Sequence, residues 1–148
     1  MKQKYFWLIG LLLVLLVGLA ACGGGTDTTS QSVAPAMAAE EGELNLPDTV
    51  DPQTVAQIKD RADVVVFDVR EQVEYDEGHI PGVTLIPLGE VPNRLSEIPK
   101  DKTVIMTCRS GNRSGQATDF LRQNGYTNVH NMEGGIVAWQ QAGLPVDK

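Results

Sequence analysis

Cysteine and histidine are scarce in this chain of 148 residues: Cys22, Cys108, His79 and His130 are the only ones, and their scattered spacing makes no metal-ligand pattern. A zinc site is thereby excluded, and no metal or organic cofactor is expected. Basic residues are also in short supply, twelve Lys and Arg against nineteen Asp and Glu. That acidic balance argues against nucleic acid and anionic membrane surfaces as partners. Internal repeats are missing, and the stretch after about Leu46 suffices for one modest hydrophobic core, leaving no room for a second domain.

At the amino end, Lys2 and Lys4 precede an apolar run from Tyr5 to Ala21 that closes on Leu19-Ala20-Ala21-Cys22. A basic start, an apolar middle and small residues before a cut point describe a secretory signal over residues 1–21. The last four residues resemble the lipobox of bacterial lipoproteins, so Cys22 is expected to be acylated and to anchor the chain to the cell envelope, facing out of the cytoplasm. An uncleaved membrane-spanning helix is the alternative, for which the run is a little short. Removal of Lys2 and Lys4 leaves ten basic residues against nineteen acidic ones, about nine net negative charges. Residues 22–46 hold Gly23-Gly24-Gly25, then Thr, Ser, Gln, Ala and Glu without apolar periodicity, the composition of a flexible tether. The folded domain is expected over 47–148.

Within that domain strands alternate with helices. Asp51-Pro52 reads as the N-cap and first residue of a helix presenting Val55, Ile58 and Ala62 on one face. Val64 to Phe67 is apolar on both faces, as in a strand inside a parallel sheet covered by helices. Short helices are expected over 71–77 and 91–98, a strand over 83–86 and the clearest strand over 103–107. A helix over 114–123 carries Ala117, Phe120 and Leu121 on one side and stops at Asn124-Gly125; Val129-His130 lies in a last short strand and a final helix covers 135–142. The alternation predicts an α/β domain whose ligand site lies at the carboxyl ends of its strands.

Cys108 stands at such an end. The segment Cys108-Arg109-Ser110-Gly111-Asn112-Arg113-Ser114 follows the apolar Val104-Ile105-Met106 and precedes a helix. Free N–H groups and the positive end of a helix dipole gather there and favour an anion. Arg109 and Arg113 add cations, and all of these favour a reactive thiolate. A small buried hydrophobe closing a core strand is the alternative reading of a lone cysteine. With Cys22 acylated, Cys108 is the sole free thiol and no intramolecular disulfide is possible.

Taken with Asp68-Val69-Arg70, Tyr75 and Gly78-His79-Ile80-Pro81-Gly82, and Gly134-Gly135 followed by Trp139, this loop makes the chain from about Val50 to Pro145 resemble a single-domain rhodanese, a sulfurtransferase. One departure is Val83, where that signature usually continues with Ala. The resemblance implies a five-stranded parallel sheet flanked by helices and a catalytic Cys108. Its thiolate would take the outer sulfur of thiosulfate or another sulfane-sulfur donor, expelling sulfite from thiosulfate, and pass the sulfur from a persulfide to cyanide or a thiol. The N–H groups of residues 109–113 (Arg109, Ser110, Gly111, Asn112 and Arg113) are expected to cradle the persulfide anion, with Arg109 or Arg113 holding the donor. Gly111 lets the loop bend without a side chain in the way.

Three other functions compete with this one. Phosphatases and arsenate reductases of related folds place their arginine six positions after the cysteine; Arg113 lies five after Cys108, giving a tighter cradle suited to one sulfur atom. A non-catalytic binding module usually lacks the cysteine, and a redox sensor would keep it. Asp68 and Arg70 read as a structural ion pair or as partners in loop hydrogen bonds, His79 as a hydrogen-bonded turn residue, His130 as edge-strand filler and Trp139 as a core anchor or a wall of the pocket. Gly134-Gly135 allows close packing of strand and helix, while Ser110 and Ser114 either cap the helix or meet the donor anion.

Overall fold

Five short strands, all parallel, carry the apolar runs noted above in a computed structural model that describes residues 44–148. The expected signal over residues 1–21 and most of the expected tether over 22–46 lie outside the described residues. The strands are β1 (Thr49–Val50), β2 (Val64–Asp68), β3 (Thr84–Leu85), β4 (Thr103–Thr107) and β5 (Val129–Met132), in the order β1-β5-β4-β2-β3. Central β4 pairs with β2 from Val64↔Thr103 to Asp68↔Thr107 and with β5 from Val104↔Val129 to Met106↔Asn131.

Alternation along β2 and β4 sends side chains into two separate cores. Val64, Val66 and Ile105 join Val55 and Ile58 of α1 (Pro52–Ile58) and Ile136 and Trp139 of α4 (Gly135–Gln141) on one face. Phe67, Val104 and Met106 pack with Ala117 and Leu121 of α3 (Asn112–Gln123) on the other. Both faces are thus covered, which is why the strands read as unbroken apolar runs. From β2 the chain runs outward to β3, then crosses back to β4 on the other side of β2. The carboxyl ends of β2 and β4 therefore flank a switch point, the usual ligand crevice of such sheets. Asp68 to Arg70 and Cys108 to Ser114 both begin there.

Caps explain the helix starts. Asp51 accepts the Thr54 N–H at 3.0 Å and Pro52 opens α1. In α2 (Gln72–Glu77), Glu71 and Glu74 form a reciprocal capping box and Gly78 ends the helix. The short helix expected over 91–98 is instead two 3₁₀ turns, Leu88–Asn93 and Leu95–Glu97, because Pro92 inside the first one lacks the N–H an α-helix would use. Ala62 lies exposed beyond the end of α1, not on its buried face. The helix after the thiol loop starts two residues earlier than expected, at Asn112.

Three further differences concern the edges. Strand β1 is too short to show a period of its own and exists by pairing with β5, Thr49↔Asn131 and Val50↔Met132. Its presence moves β5 inside the sheet, so His130 is not on an edge strand; its Nδ1 lies 2.7 Å from the Pro47 carbonyl oxygen. Leu44 and Leu46, assigned to the tether, are partly buried against the α1/α4 core, so the packed domain begins before residue 47. Among the described residues no helix is long and apolar enough to cross a membrane.

Candidate active site

Cys108 follows the last residue of β4, and its side chain turns inward; the residue is 1 % exposed. Its sulfur accepts two hydrogen bonds, from the Gly111 N–H at 3.1 Å and from the Ser114 hydroxyl at 3.3 Å. Burial pushes the Cys108 thiol up. The Ser114 hydroxyl and the backbone N–H groups of Ser114, Ser110 and Gly111 together outweigh burial and hold it below its ordinary value. Local donors, rather than the two arginine charges anticipated from sequence, thus do most to favour the thiolate. Of the N–H groups expected to form the cradle, those of Ser110 and Gly111 act on the sulfur, joined by that of Ser114.

Two glycines make the close turn possible. Gly111 adopts φ +93°, and a Cβ there would lie 3.2 Å from the Gly134 nitrogen. Gly135 adopts φ +56°, and its Cβ would stand 2.3 Å from the Cys108 carbonyl oxygen. That closeness lets α4 donate from its first turn to the loop: Ile136 N–H to the Cys108 carbonyl at 2.8 Å and Val137 N–H to that of Arg109 at 3.1 Å. On the other side the Gly111 carbonyl accepts from the Asn131 amide at 3.2 Å and the Gly115 N–H at 2.9 Å, and at 3.2 Å it shares the single Ser114 hydroxyl proton with the Cys108 sulfur. Loop carbonyls are therefore spent on the surrounding elements while amides face the sulfur.

The charged residues divide by partner. Arg70 and Asp68 form the expected buried ion pair at 2.7 Å. Arg70 also donates to the Glu74 and Gly78 carbonyls at 2.9 and 2.8 Å, fastening α2 to the end of β2. Arg113 meets both carboxylate oxygens of Glu74, at 2.6 and 2.7 Å, so its guanidinium is already paired. Glu74 is a residue the sequence reading missed; 39 positions separate it from Arg113, too far for any local pattern to join them. Arg109, Ser110 and Asn112 are exposed. His79 stacks on Tyr75 with ring centroids 3.8 Å apart and Nδ1 lies 3.1 Å from the Tyr75 carbonyl oxygen, a turn residue as expected. Trp139 is fully buried and donates to the Pro145 carbonyl at 2.7 Å.

Beside the loop lies a cleft of about 330 Å³ between α2 and α4, with Arg70, Glu74, Glu77, Arg109 and Val137 in its wall. A larger cavity, about 480 Å³, sits where β4 begins, around Lys102, Thr103 and Asn128. It holds no thiol and stands at the opposite end of β4 from Cys108, so size does not mark the reactive site here. Among the described residues no cluster of His, Cys, Asp and Glu has the makings of a metal site.

Ser114 is the residue on which the thiol's acidity can be tested. Thiolate is the basic form, present above the thiol's pKa, so a thiolate-dependent rate falls as pH drops through that value. Ser114→Ala removes a donor to the charged form and moves this acid limb to higher pH. At the acid end alkylation of Cys108 by iodoacetamide should slow by about tenfold, with little change in alkaline solution. An unchanged pH profile would remove Ser114 from the site.

Comparison with known proteins shows the family to which this fold belongs. A family model described as a rhodanese-like domain matches residues 51–142. A sulfurtransferase of Allochromatium vinosum is 44 % identical over 98 residues, 66 % of this chain and 92 % of its own length. The thiosulfate sulfurtransferase GlpE of Pseudoalteromonas translucida is 33 % identical over 86 residues, 58 % of this chain and 82 % of that relative. A crystal structure of a rhodanese-related protein from Thermoplasma volcanium superposes with a TM-score of 0.62 at 33 % identity, covering 68 % of this chain and 98 % of the other.

Proposed function

The chain belongs to the rhodanese-like family, and from that premise we propose that it is a sulfurtransferase working through a persulfide on Cys108, taking sulfane sulfur from a donor such as thiosulfate and giving it to a thiol or cyanide. The observation that carries the reading is the Cys108 sulfur itself, buried yet held toward its anion by Ser114 and loop amides. In the first step the thiolate attacks the outer sulfur of the donor. The Cys108–sulfur bond forms as the donor's sulfur–sulfur bond breaks, and sulfite leaves when the donor is thiosulfate. In the second step an acceptor attacks the outer sulfur of the persulfide and frees the thiolate. Negative charge shifts between sulfurs lying among preset N–H and O–H donors, the arrangement that stabilises a moving anion at low reorganisation cost.

A phosphatase reading gains nothing from the geometry. The loop arginine that would hold a phosphate is engaged by Glu74. The proposal also places the domain outside the cytoplasm, on a lipid attached to Cys22, and is supported there by Lys2, Lys4, the apolar run and the lipobox-like Leu19 to Cys22.

Mass spectrometry of the protein recovered from bacterial membranes tests both parts. After thiosulfate treatment Cys108 should carry one added sulfur atom, removed by cyanide, and the mature chain should begin at an acylated Cys22. A protein that takes up no sulfur from any donor would be a binding module, and a Cys108 oxidised to sulfenic acid under peroxide but never persulfidated would be a sensor.

A further inference from the structure

Sequence alone offers two cations beside the thiol, an arrangement suited to a dianionic donor, but one of them is cancelled. Arg113 and Glu74 meet through two parallel hydrogen bonds of 2.6 and 2.7 Å, with side chains 30 % and 25 % exposed. This fork-to-fork geometry is among the strongest a surface-proximal pair can adopt. Arg113 holds the Glu74 carboxyl down to about 2, so the carboxylate stays ionised throughout the neutral range. Glu74 is further held by its place in the capping box of α2 and by the Arg70 hydrogen bond to its carbonyl. Arg70 is committed in turn to Asp68. Around the cleft this leaves Arg109 as a cation with no ion pair within 4 Å among the described residues, while Glu77 contributes a further negative charge to the wall.

We propose that Glu74 is a specificity-determining residue of the sulfur-transfer site: by neutralising Arg113 it favours a sulfane sulfur carried on a thiol, an organic persulfide with at most one negative charge, over dianionic thiosulfate. The inference rests on the sulfurtransferase reading and narrows its donor class. With an organic persulfide R–S–SH, the Cys108 thiolate bonds to the outer sulfur, the S–S bond of the donor breaks, and RS⁻ departs, leaving Cys108–S–SH. Atoms and charge balance without an oxidant or reductant. With thiosulfate the same displacement brings a dianion up to an anionic nucleophile and releases the sulfite dianion, past two carboxylates and with one of the two loop cations already paired. Coulomb energy scales with the donor's charge, so the pair discriminates chiefly against thiosulfate.

The test is steady-state transfer to cyanide by wild type and Glu74→Gln, with thiosulfate and the persulfide of 2-mercaptoethanol as donors. Freeing Arg113 should raise kcat/KM for thiosulfate by about tenfold, mainly through KM, and change the persulfide value by less than about threefold, since a donor of half the charge feels half the energy. The thiosulfate gain should shrink with added salt as the freed charge is screened. Glu74→Met serves if Glu74→Gln folds poorly, with thermal unfolding as the check. Equal loss for both donors, or no change for either, would overturn the proposal and leave Glu74 as a helix cap alone. Failure of wild type to use any donor would overturn the sulfurtransferase reading itself, and is recognisable because no variant is needed to see it.

Discussion

Cys108→Ser is expected to cut sulfur transfer by at least about a thousandfold while the protein remains folded. The serine hydroxyl would still receive the Gly111 N–H and could exchange hydrogen bonds with Ser114, which now reach the sulfur at 3.1 and 3.3 Å. Its smaller volume and retained polarity keep the stability cost to about 1–2 kcal/mol. Chemistry is another matter. A hydroxyl in this environment is not ionised near neutral pH, and the polarisable sulfur that bonds to sulfur is gone; losses of this order and larger attend removal of a nucleophile elsewhere. Initial rates of thiocyanate formation check the first part and thermal unfolding the second. Retention of more than a tenth of the activity would mean that the transferred sulfur never resides on Cys108.

The second large effect is on folding. Gly135→Ala places a methyl group 2.3 Å from the Cys108 carbonyl oxygen, 2.6 Å from the Arg109 carbonyl carbon and 2.7 Å from the Arg109 oxygen. All three are backbone atoms, so no side chain can swing aside. The residue must also keep φ near +56°, which costs an L-amino acid about 1–2 kcal/mol. Overpacking adds about 1–3 kcal/mol, and any retreat of α4 loosens the two hydrogen bonds from Ile136 and Val137 to the loop carbonyls. We expect a total of about 4 kcal/mol or more, seen as a Tm lower by roughly 15 °C or more, together with loss of transfer activity. Gly89→Ala is the matched control: nothing lies within 4 Å of a Cβ there, and its Tm should stay within a few degrees of wild type. Equal stability of both variants would show that loop and helix do not approach as described.

How far the sequence alone reveals this molecule depends on whether a feature is local. Val104, Ile105 and Met106 announce a buried strand because both sheet faces are covered, and the strand found, Thr103–Thr107, has the expected ends. The thiol loop is legible for the same reason: its residues are consecutive, and the helix that completes it follows at once. Glu71 and Glu74 signal a helix start through a spacing of three. By contrast β1 has only two residues and borrows its conformation from β5, so no periodicity exists to detect. Pro92 was readable as a helix breaker and should have turned the expectation for 91–98 toward 3₁₀ geometry. Glu74 meets Arg113 only because α2 is fastened to the end of β2 while the loop leaves β4 next door, a juxtaposition made by sheet order and invisible along the chain. Ser114 lies between: its position six after Cys108 was plain, but whether its hydroxyl served the helix or the site was settled by the turn at Gly111, which aims it at both the sulfur and the Gly111 carbonyl.

The outward anchoring of the loop carbonyls has a consequence for turnover. Peptide planes that can flip would let the ring around the sulfur reverse its dipoles when the anion is discharged, and each cycle would then spend time and energy turning them back. Here the oxygens of Cys108, Arg109 and Gly111 are pinned by donors on α3, α4 and β5. In the proposed persulfide cycle the ring would therefore keep one polarity whether the cysteine is empty, loaded or in mid-displacement, its electric field set before each turnover.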